Sequence, residues 1–212
     1  MVKTWSADNP KAALMAQKRQ AIVGAALAAF LESGYAEASV NRIAADAGVS
    51  IKTLYRHFES KDELFSAVMQ AACAEGGNGP GVPAWYAQPP ALALPIAGAE
   101  YLRDALSPAQ LALYRVVTRD ADRFPELGRR YHAETVGRRV ALASGYLDRW
   151  SSSEAWLVRD PAEVARVFEA LLRTDIFEAA LHGLRRPDEA EIRQRATAAA
   201  KRLLLLLKEN AF

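Results

Sequence analysis

Between Ser39 and Phe58 the chain carries two apolar patterns with helical spacing, Val40, Ile43, Ala44, Ala47 and then Ile51, Leu54, Tyr55, Phe58, separated by Gly48-Val49-Ser50. Apolar residues at i, i+3, i+4 and i+7 mark one face of a helix, and each run lasts only about two turns. Ser39 and Ser50 stand where an N-cap is required, and Gly48 stands where the first of the two helices must stop. The face of the second helix opposite its apolar stripe carries Lys52, Thr53, Arg56 and His57.

The neighbouring segments supply longer helices. Ile22, Ala25, Ala26, Ala29 and Phe30 predict a helix from about Lys11 to Ser33 that Gly34 ends. Ser60-Lys61-Asp62-Glu63 is a capping box, and Leu64, Phe65, Val68, Met69 and Ala72 continue it as a fourth helix. Residues 76–95 are rich in Gly and Pro and are expected to form a linker, which puts a domain boundary there: 11–75 and 76–212. The GGNGPG string at its start has a partial phosphate-loop look, but no strand precedes it.

Helix starts recur at Ser107-Pro108-Ala109-Gln110, Asp160-Pro161-Ala162-Glu163 and Asp188-Glu189-Ala190-Glu191. They predict helices over 108–122, 161–182 and 189–208, with another over 125–150. No segment reads as a strand, so the fold class is all-α: an N-terminal three-helix helix-turn-helix domain plus a C-terminal helical domain. The last helix is apolar along Ile192, Ala196, Ala199, Leu203, Leu206 and Leu207, with Leu204 and Leu205 widening the stripe. A helix apolar nearly all round must be covered on more than one side. Phe177, Leu181, Ala199, Leu203, Leu206 and Leu207 are therefore expected to meet their symmetry mates in a four-helix dimer interface. The alternative is that both C-terminal helices only complete the chain's own core.

Composition excludes more than it selects. The formal net charge of +2 is spread evenly, with 8 Lys/Arg against 7 Asp/Glu in residues 1–65 and 19 against 18 beyond. A nucleic-acid partner would therefore have to be met by a local basic face. Cys73 is the single cysteine, which allows no internal disulfide and points to a reducing compartment. Cys73 reads as a redox sensor or, more simply, as a small buried hydrophobe. No stretch resembles a secretory signal or a membrane span, so the expected location is cytoplasmic with no membrane partner.

Catalysis needs a nucleophile with its base, paired acids or a metal, and no such constellation is visible. Gly48-Val49-Ser50 lacks the second glycine of a nucleophile elbow. His132-Ala133-Glu134 mimics part of a deaminase zinc motif that also requires two cysteines. His57, His132 and His182 have no metal-ligand spacing, so neither enzyme activity nor metal nor cofactor is expected.

Two short helices joined by a tight glycine turn let the second enter the major groove of DNA, which admits an α-helix. The run SVNRIAADAGVSIKTLYRHFESKDELFSAVM, residues 39–69, resembles the DNA-binding region of the TetR family of bacterial repressors, and the likeness extends back to about residue 11. It rests on Ser39, Ile43-Ala44, Gly48-Val49-Ser50, Thr53-Leu54-Tyr55, His57-Phe58 and Ser60-Lys61 in the family's order and spacing. Lys52, Thr53 and Arg56 would face the groove. The resemblance implies phosphate contacts from Tyr55, His57 and Lys61, with Tyr55 also packed into the core. Ser39 and Ser50 would add hydroxyl or amide contacts, and Asn41 and Arg42 are secondary candidates.

Leu113-Tyr114-Arg115-Val116-Val117 and Arg123-Phe124-Pro125-Glu126-Leu127 are similar to the ligand domain of AefR-like members of that family. The resemblance implies a homodimer that binds double-stranded DNA and a small-molecule effector. Met69, Trp85, Tyr101, Tyr114, Phe168 and Leu172 lie on or beside the helices that enclose the pocket in related proteins. Their chemistry suits a mainly apolar or aromatic ligand.

Overall fold

The computed structural model describes residues 10–75, 81–154 and 156–212. Residues 76–80, most of the GGNGPG string, lie outside the described residues, as does the side chain of Cys73 on which a redox role would depend. Among the described residues the chain forms ten α-helices and no strand. They are α1 (Pro10–Glu37), α2 (Val40–Asp46), α3 (Ile51–His57), α4 (Lys61–Glu75), α5 (Pro90–Ala105), α6 (Pro108–Asp120), α7 (Pro125–Tyr131), α8 (Arg138–Ser151), α9 (Pro161–Leu181) and α10 (Glu189–Lys208). No described helix is long and apolar enough to cross a membrane.

The chain divides into two compact units. One holds residues up to Ala71 together with Val116–Tyr131; the other holds Ala72–Arg115 and His132–Phe212. In the first unit α1 packs against α2 and α3, and an aromatic cluster forms where Phe30 and Tyr35 meet Phe65 edge to face at 5.2 and 5.4 Å. Phe124 adds a further edge-to-face contact with Tyr35 at 5.3 Å. That contact and the hydrogen bond from the Tyr35 amide to the Asp120 carboxylate bring 116–131 into the first unit, far in sequence from the rest of it. Gly34 interrupts α1 at φ 82°, a left-handed conformation that a side chain resists, and a last turn follows it to Glu37.

In the second unit α5 packs along α10, and both meet α9. The close approach centres on Gly98, where a Cβ would lie 2.9 Å from Leu172 Cδ2 and 3.2 Å from Ala196 Cβ. The linker expected to reach residue 95 is shorter than that, because α5 starts at Pro90. Pro89 and Pro90 occupy the N-cap and first turn, where no helical amide is needed, and Pro95 is accommodated inside the helix. The single helix expected over 125–150 is also corrected: a π-helical turn, His132–Gly137, separates α7 from α8.

The dimer-face expectation changes for the same reason. Ala199, Leu203 and Leu207 are buried within the chain itself, and Phe177 is buried too. Leu181 is partly buried against the same core. The apolar stripe of α10 packs on α5, so five of the six residues assigned to a symmetry mate, all but Leu206, belong to the core of their own protomer. Leu206, at 36% exposure, and its neighbour Leu205, at 62%, lie on the solvent side.

Candidate nucleic-acid interface and effector cavity

The helix-turn-helix is fixed by its caps. Ser39 Oγ accepts the Arg42 amide of α2 at 3.4 Å, and Ser50 Oγ accepts the Thr53 amide of α3 at 3.1 Å. Gly48, at φ 65°, turns the chain back so that its N–H and that of Val49 reach the carbonyls of Ala45 and Ala44, each at 3.0 Å. Ile43 and Ala44 of α2 and Leu54 and Phe58 of α3 are buried and anchor the pair.

The inward face of α3 is narrower than its apolar residues suggest. Ile51 is 38% exposed and Tyr55 is 51% exposed, so neither is a core residue. A seven-residue helix lying on α1 and α2 covers a single stripe, and Leu54 with Phe58 fills it. Tyr55 therefore stands on the open surface with Lys52 and Arg56, which are also exposed. Thr53 is half-buried, and its hydroxyl lies 2.9 Å from that of Ser50, within the cap.

Asn41 and Arg42 are exposed on α2, and Arg42 pairs with Glu32 at 3.0 Å and Asp46 at 3.6 Å. Exposed pairs of this kind hold little energy, so they leave Arg42 available for exchange with a phosphate. The Arg56 guanidinium lies 3.7 Å from Met15 Sδ. His57 is half-buried with Nε2 covered and without a hydrogen bond among the described residues. Burial, then the charges of Arg56, Arg19 and Lys18, lowers its pKa and keeps it neutral.

Lys61 departs from its expected role. Its ammonium donates to the Ala36 carbonyl at 3.1 Å and lies 4.8 Å above the Tyr35 ring, so it caps the end of α1 instead of standing free for a phosphate. Two cations escaped sequence reasoning: Lys18 and Arg19 on α1 act on His57, and the Arg19 guanidinium lies 5.0 Å over the Phe58 ring. The adjacent basic pair was visible in the sequence, but nothing local tied it to α3.

The second unit holds a cavity of about 70 Å³ between α5, α8, α9 and the 3-10 turn Ala84–Ala87. Four of the expected residues line it: Trp85, Tyr101, Phe168 and Leu172. Two do not. Met69 is fully buried in the first unit, and the Tyr114 ring packs edge to face on Phe177 at 5.4 Å. Sequence reasoning missed α8, which contributes Arg139, Val140, Leu142 and Ala143, because helical periodicity does not say which face meets a void.

It missed the polar groups of the cavity as well. Trp85 Nε1 donates to Glu100 Oε2 and Tyr101 Oη donates to Glu169 Oε1, each at 2.7 Å. Arg139 reaches the buried carboxylate of Asp104 at 3.4 Å, and its guanidinium lies 5.0 Å over the Tyr101 ring. Burial, reinforced by the Glu169 charge, raises the Tyr101 pKa and keeps the phenol protonated. Among the described residues no group of three or more His, Cys, Asp or Glu could hold a metal ion.

Residues 22–68 match the family model described as bacterial regulatory proteins of the tetR family, and residues 93–206 match that of the AefR-like transcriptional repressor C-terminal domain. Over 54 residues the chain is 44% identical to the HTH-type transcriptional activator FasR of Mycolicibacterium smegmatis, a match spanning 26% of this chain and 25% of that relative. Two solved structures are similar throughout. A TetR-family regulator from Mesorhizobium loti gives a TM-score of 0.76 at 25% identity, covering 91% of this chain and 97% of its own. The flavonoid-responsive regulator FrrA gives 0.76 at 28% identity, covering 90% and 96%.

Proposed function

Because the chain belongs to the TetR family of bacterial transcriptional regulators, and so is a DNA-binding regulator and not an enzyme, we propose that it is a homodimeric repressor released from a palindromic operator by a small, mainly apolar or aromatic ligand. The observation that carries this reading is the division of α3 into a buried side, Leu54 and Phe58, and an open side bearing Lys52, Tyr55 and Arg56. On that open side Lys52 and Arg56 read base edges, with Thr53 beside them, while Tyr55 and His57 meet phosphates. Asn41 and Arg42 of α2 and the hydroxyls of Ser39 and Ser50 extend the contact.

Two copies of α3 in a dimer meet successive major grooves about 34–36 Å apart, and ligand acts by changing that spacing. Helix α4 supports such coupling, since it begins at the capping box of the first unit and its residues from Ala72 onward belong to the second. Repression accords with the repressor family that the C-terminal half matches. FasR, an activator, is matched over 25% of its length. The flavonoid response of FrrA accords with an aromatic-lined cavity, and a DNA partner accords with a cytoplasmic location.

The test is to incubate the purified protein with fragmented genomic DNA of its host, sequence what is retained at moderate salt, and repeat with Lys52 and His57 both changed to Ala. One or a few palindromes are expected, lost in the double variant. Retention without sequence preference, or equal retention by the double variant, overturns the operator reading. Within the recovered site, His57→Ala should weaken all sequences alike, whereas Lys52→Ala should shift preference at one base position.

A further inference from the structure

The cavity of the second unit has a polar arrangement that says what its occupant must carry. Its walls are mostly apolar, with Trp85, Tyr101 and Phe168 supplying rings. The indole N–H of Trp85 and the hydroxyl of Tyr101 are both spent on carboxylates of the same wall, Glu100 and Glu169. A carboxylate offers about four lone-pair positions, and each of these two uses one on the aromatic donor beside it. Beside the Arg139 guanidinium, which pairs with Asp104 at 3.4 Å, the wall therefore presents carboxylate acceptors to its occupant, and a polar group left unpaired there is costly.

Charge narrows the choice further. Two lining carboxylates oppose a carboxylate or phosphate on the ligand. A cation is opposed in turn by Arg139 in the same wall and by Arg173, which pairs with Glu169 at 3.6 Å. What remains is an uncharged aromatic molecule that brings hydrogen-bond donors. We propose that the effector is an uncharged aromatic compound bearing hydroxyl groups, and that Glu100 and Glu169 select it by accepting from those hydroxyls. This rests on the effector reading of the cavity given above. Since the cavity volume is about 70 Å³, well under the roughly 300–1,000 Å³ of a pocket for drug-sized ligands, a three-ring ligand requires the cavity to widen.

The test uses full-length protein and three probes of one flavanone skeleton: naringenin, its tri-O-methyl ether, which has acceptors only, and a flavanone carboxylate. Binding is followed by titration calorimetry, and helical content and thermal midpoint are recorded for every variant. Naringenin should bind at least ~10-fold more tightly than the ether, the loss expected when a charged acceptor is left without its donor. The carboxylate should bind more weakly still. In Glu100→Gln and Glu169→Gln the preference for naringenin over the ether should shrink, while Leu142→Met, a wall change without polar consequence, should keep it. If ether and phenol bind alike, or the carboxylate binds best, donor selection is overturned and the effector cavity stands. If none of the three binds, the cavity reading falls and the proposal falls with it.

Discussion

The carboxylate of Asp120, at the end of α6, accepts the backbone N–H of Tyr35 at 2.8 Å across 85 residues of chain. Burial works against the charge on Asp120, but the Arg119 guanidinium and the amides of Tyr35 and Ala36 outweigh it and hold the carboxyl below its ordinary value. Asp120 thus gives the last turn of α1, beyond the kink at Gly34, an acceptor from a distant helix.

Asp120→Ala should lower stability by about 1.5–3 kcal/mol, the range for hydrogen bonds to a charged group. Asp120→Asn, which keeps an acceptor, should cost less. A carboxyl with a lowered folded pKa contributes fully above its ordinary value of 3.8 and loses that contribution as pH falls through the lowered one. Urea unfolding at neutral pH and in acid checks both points. An unchanged midpoint for the alanine variant would show that the bond contributes nothing.

At Gly34 two penalties coincide. Its φ of 82° disfavours any side chain, and a Cβ there would lie 1.0 Å from Arg119 Nη2. The backbone part of Gly34→Ala should cost about 1–2 kcal/mol. The guanidinium is the far end of a flexible side chain and can move, so its share should be smaller. A double-mutant cycle with Arg119→Ala separates the two, because the second change removes the clash and leaves the φ penalty. If Arg119→Ala restored Gly34→Ala fully, the backbone would carry no strain.

Burial and the cations Arg56, Arg19 and Lys18 lower the His57 pKa. A histidine whose folded pKa lies below its unfolded value of 6.5 leaves stability intact above that value. Stability then declines as pH drops through it, because the unfolded chain takes up the proton more readily. Thermal midpoints at about pH 7.5 and about pH 5.5 should therefore diverge more in the wild type than in His57→Gln. Equal divergence would show that His57 titrates as it does in the unfolded chain.

The C-terminal helix separates two roles that its leucines share in the sequence. Leu203→Ala, at a fully buried site, should cost about 2–5 kcal/mol in unfolding experiments. Leu205→Glu with Leu206→Glu, on the solvent side, should leave unfolding within roughly 0.5 kcal/mol per site. If that face joins two copies, the pair should shift sedimentation toward the monomer. A dimer that survives the pair of substitutions assigns association to another surface.

Much of this architecture is legible in the sequence because it depends on local chemistry. Ser39, Ser50, Asp160 and Asp188 accept first-turn amides in the structure where their positions predict caps. What escaped depends on partners far away in the chain. Periodicity identifies the apolar stripe of α10 but not whether α5 or a second protomer covers it, and Pro95 hid α5. Likewise Lys61 reads as a surface cation until Ala36 is brought beside it, and Glu100 and Glu169 read as solvated charges until Trp85 and Tyr101 face them. For the outward residues of α3 the residue types were visible, while the exposure of Tyr55 had to come from the fold.

The narrow footing of α3 also bears on how such a protein changes over generations. Leu54 and Phe58 hold the helix down, while Lys52, Tyr55 and Arg56 take almost no part in that attachment. Substitutions among the outward three are therefore close to neutral for folding, and under the proposed contact those at Lys52 and Arg56 change which DNA sequence is bound. On that proposal, a lineage can exchange one regulatory target for another without passing through an unfolded ancestor.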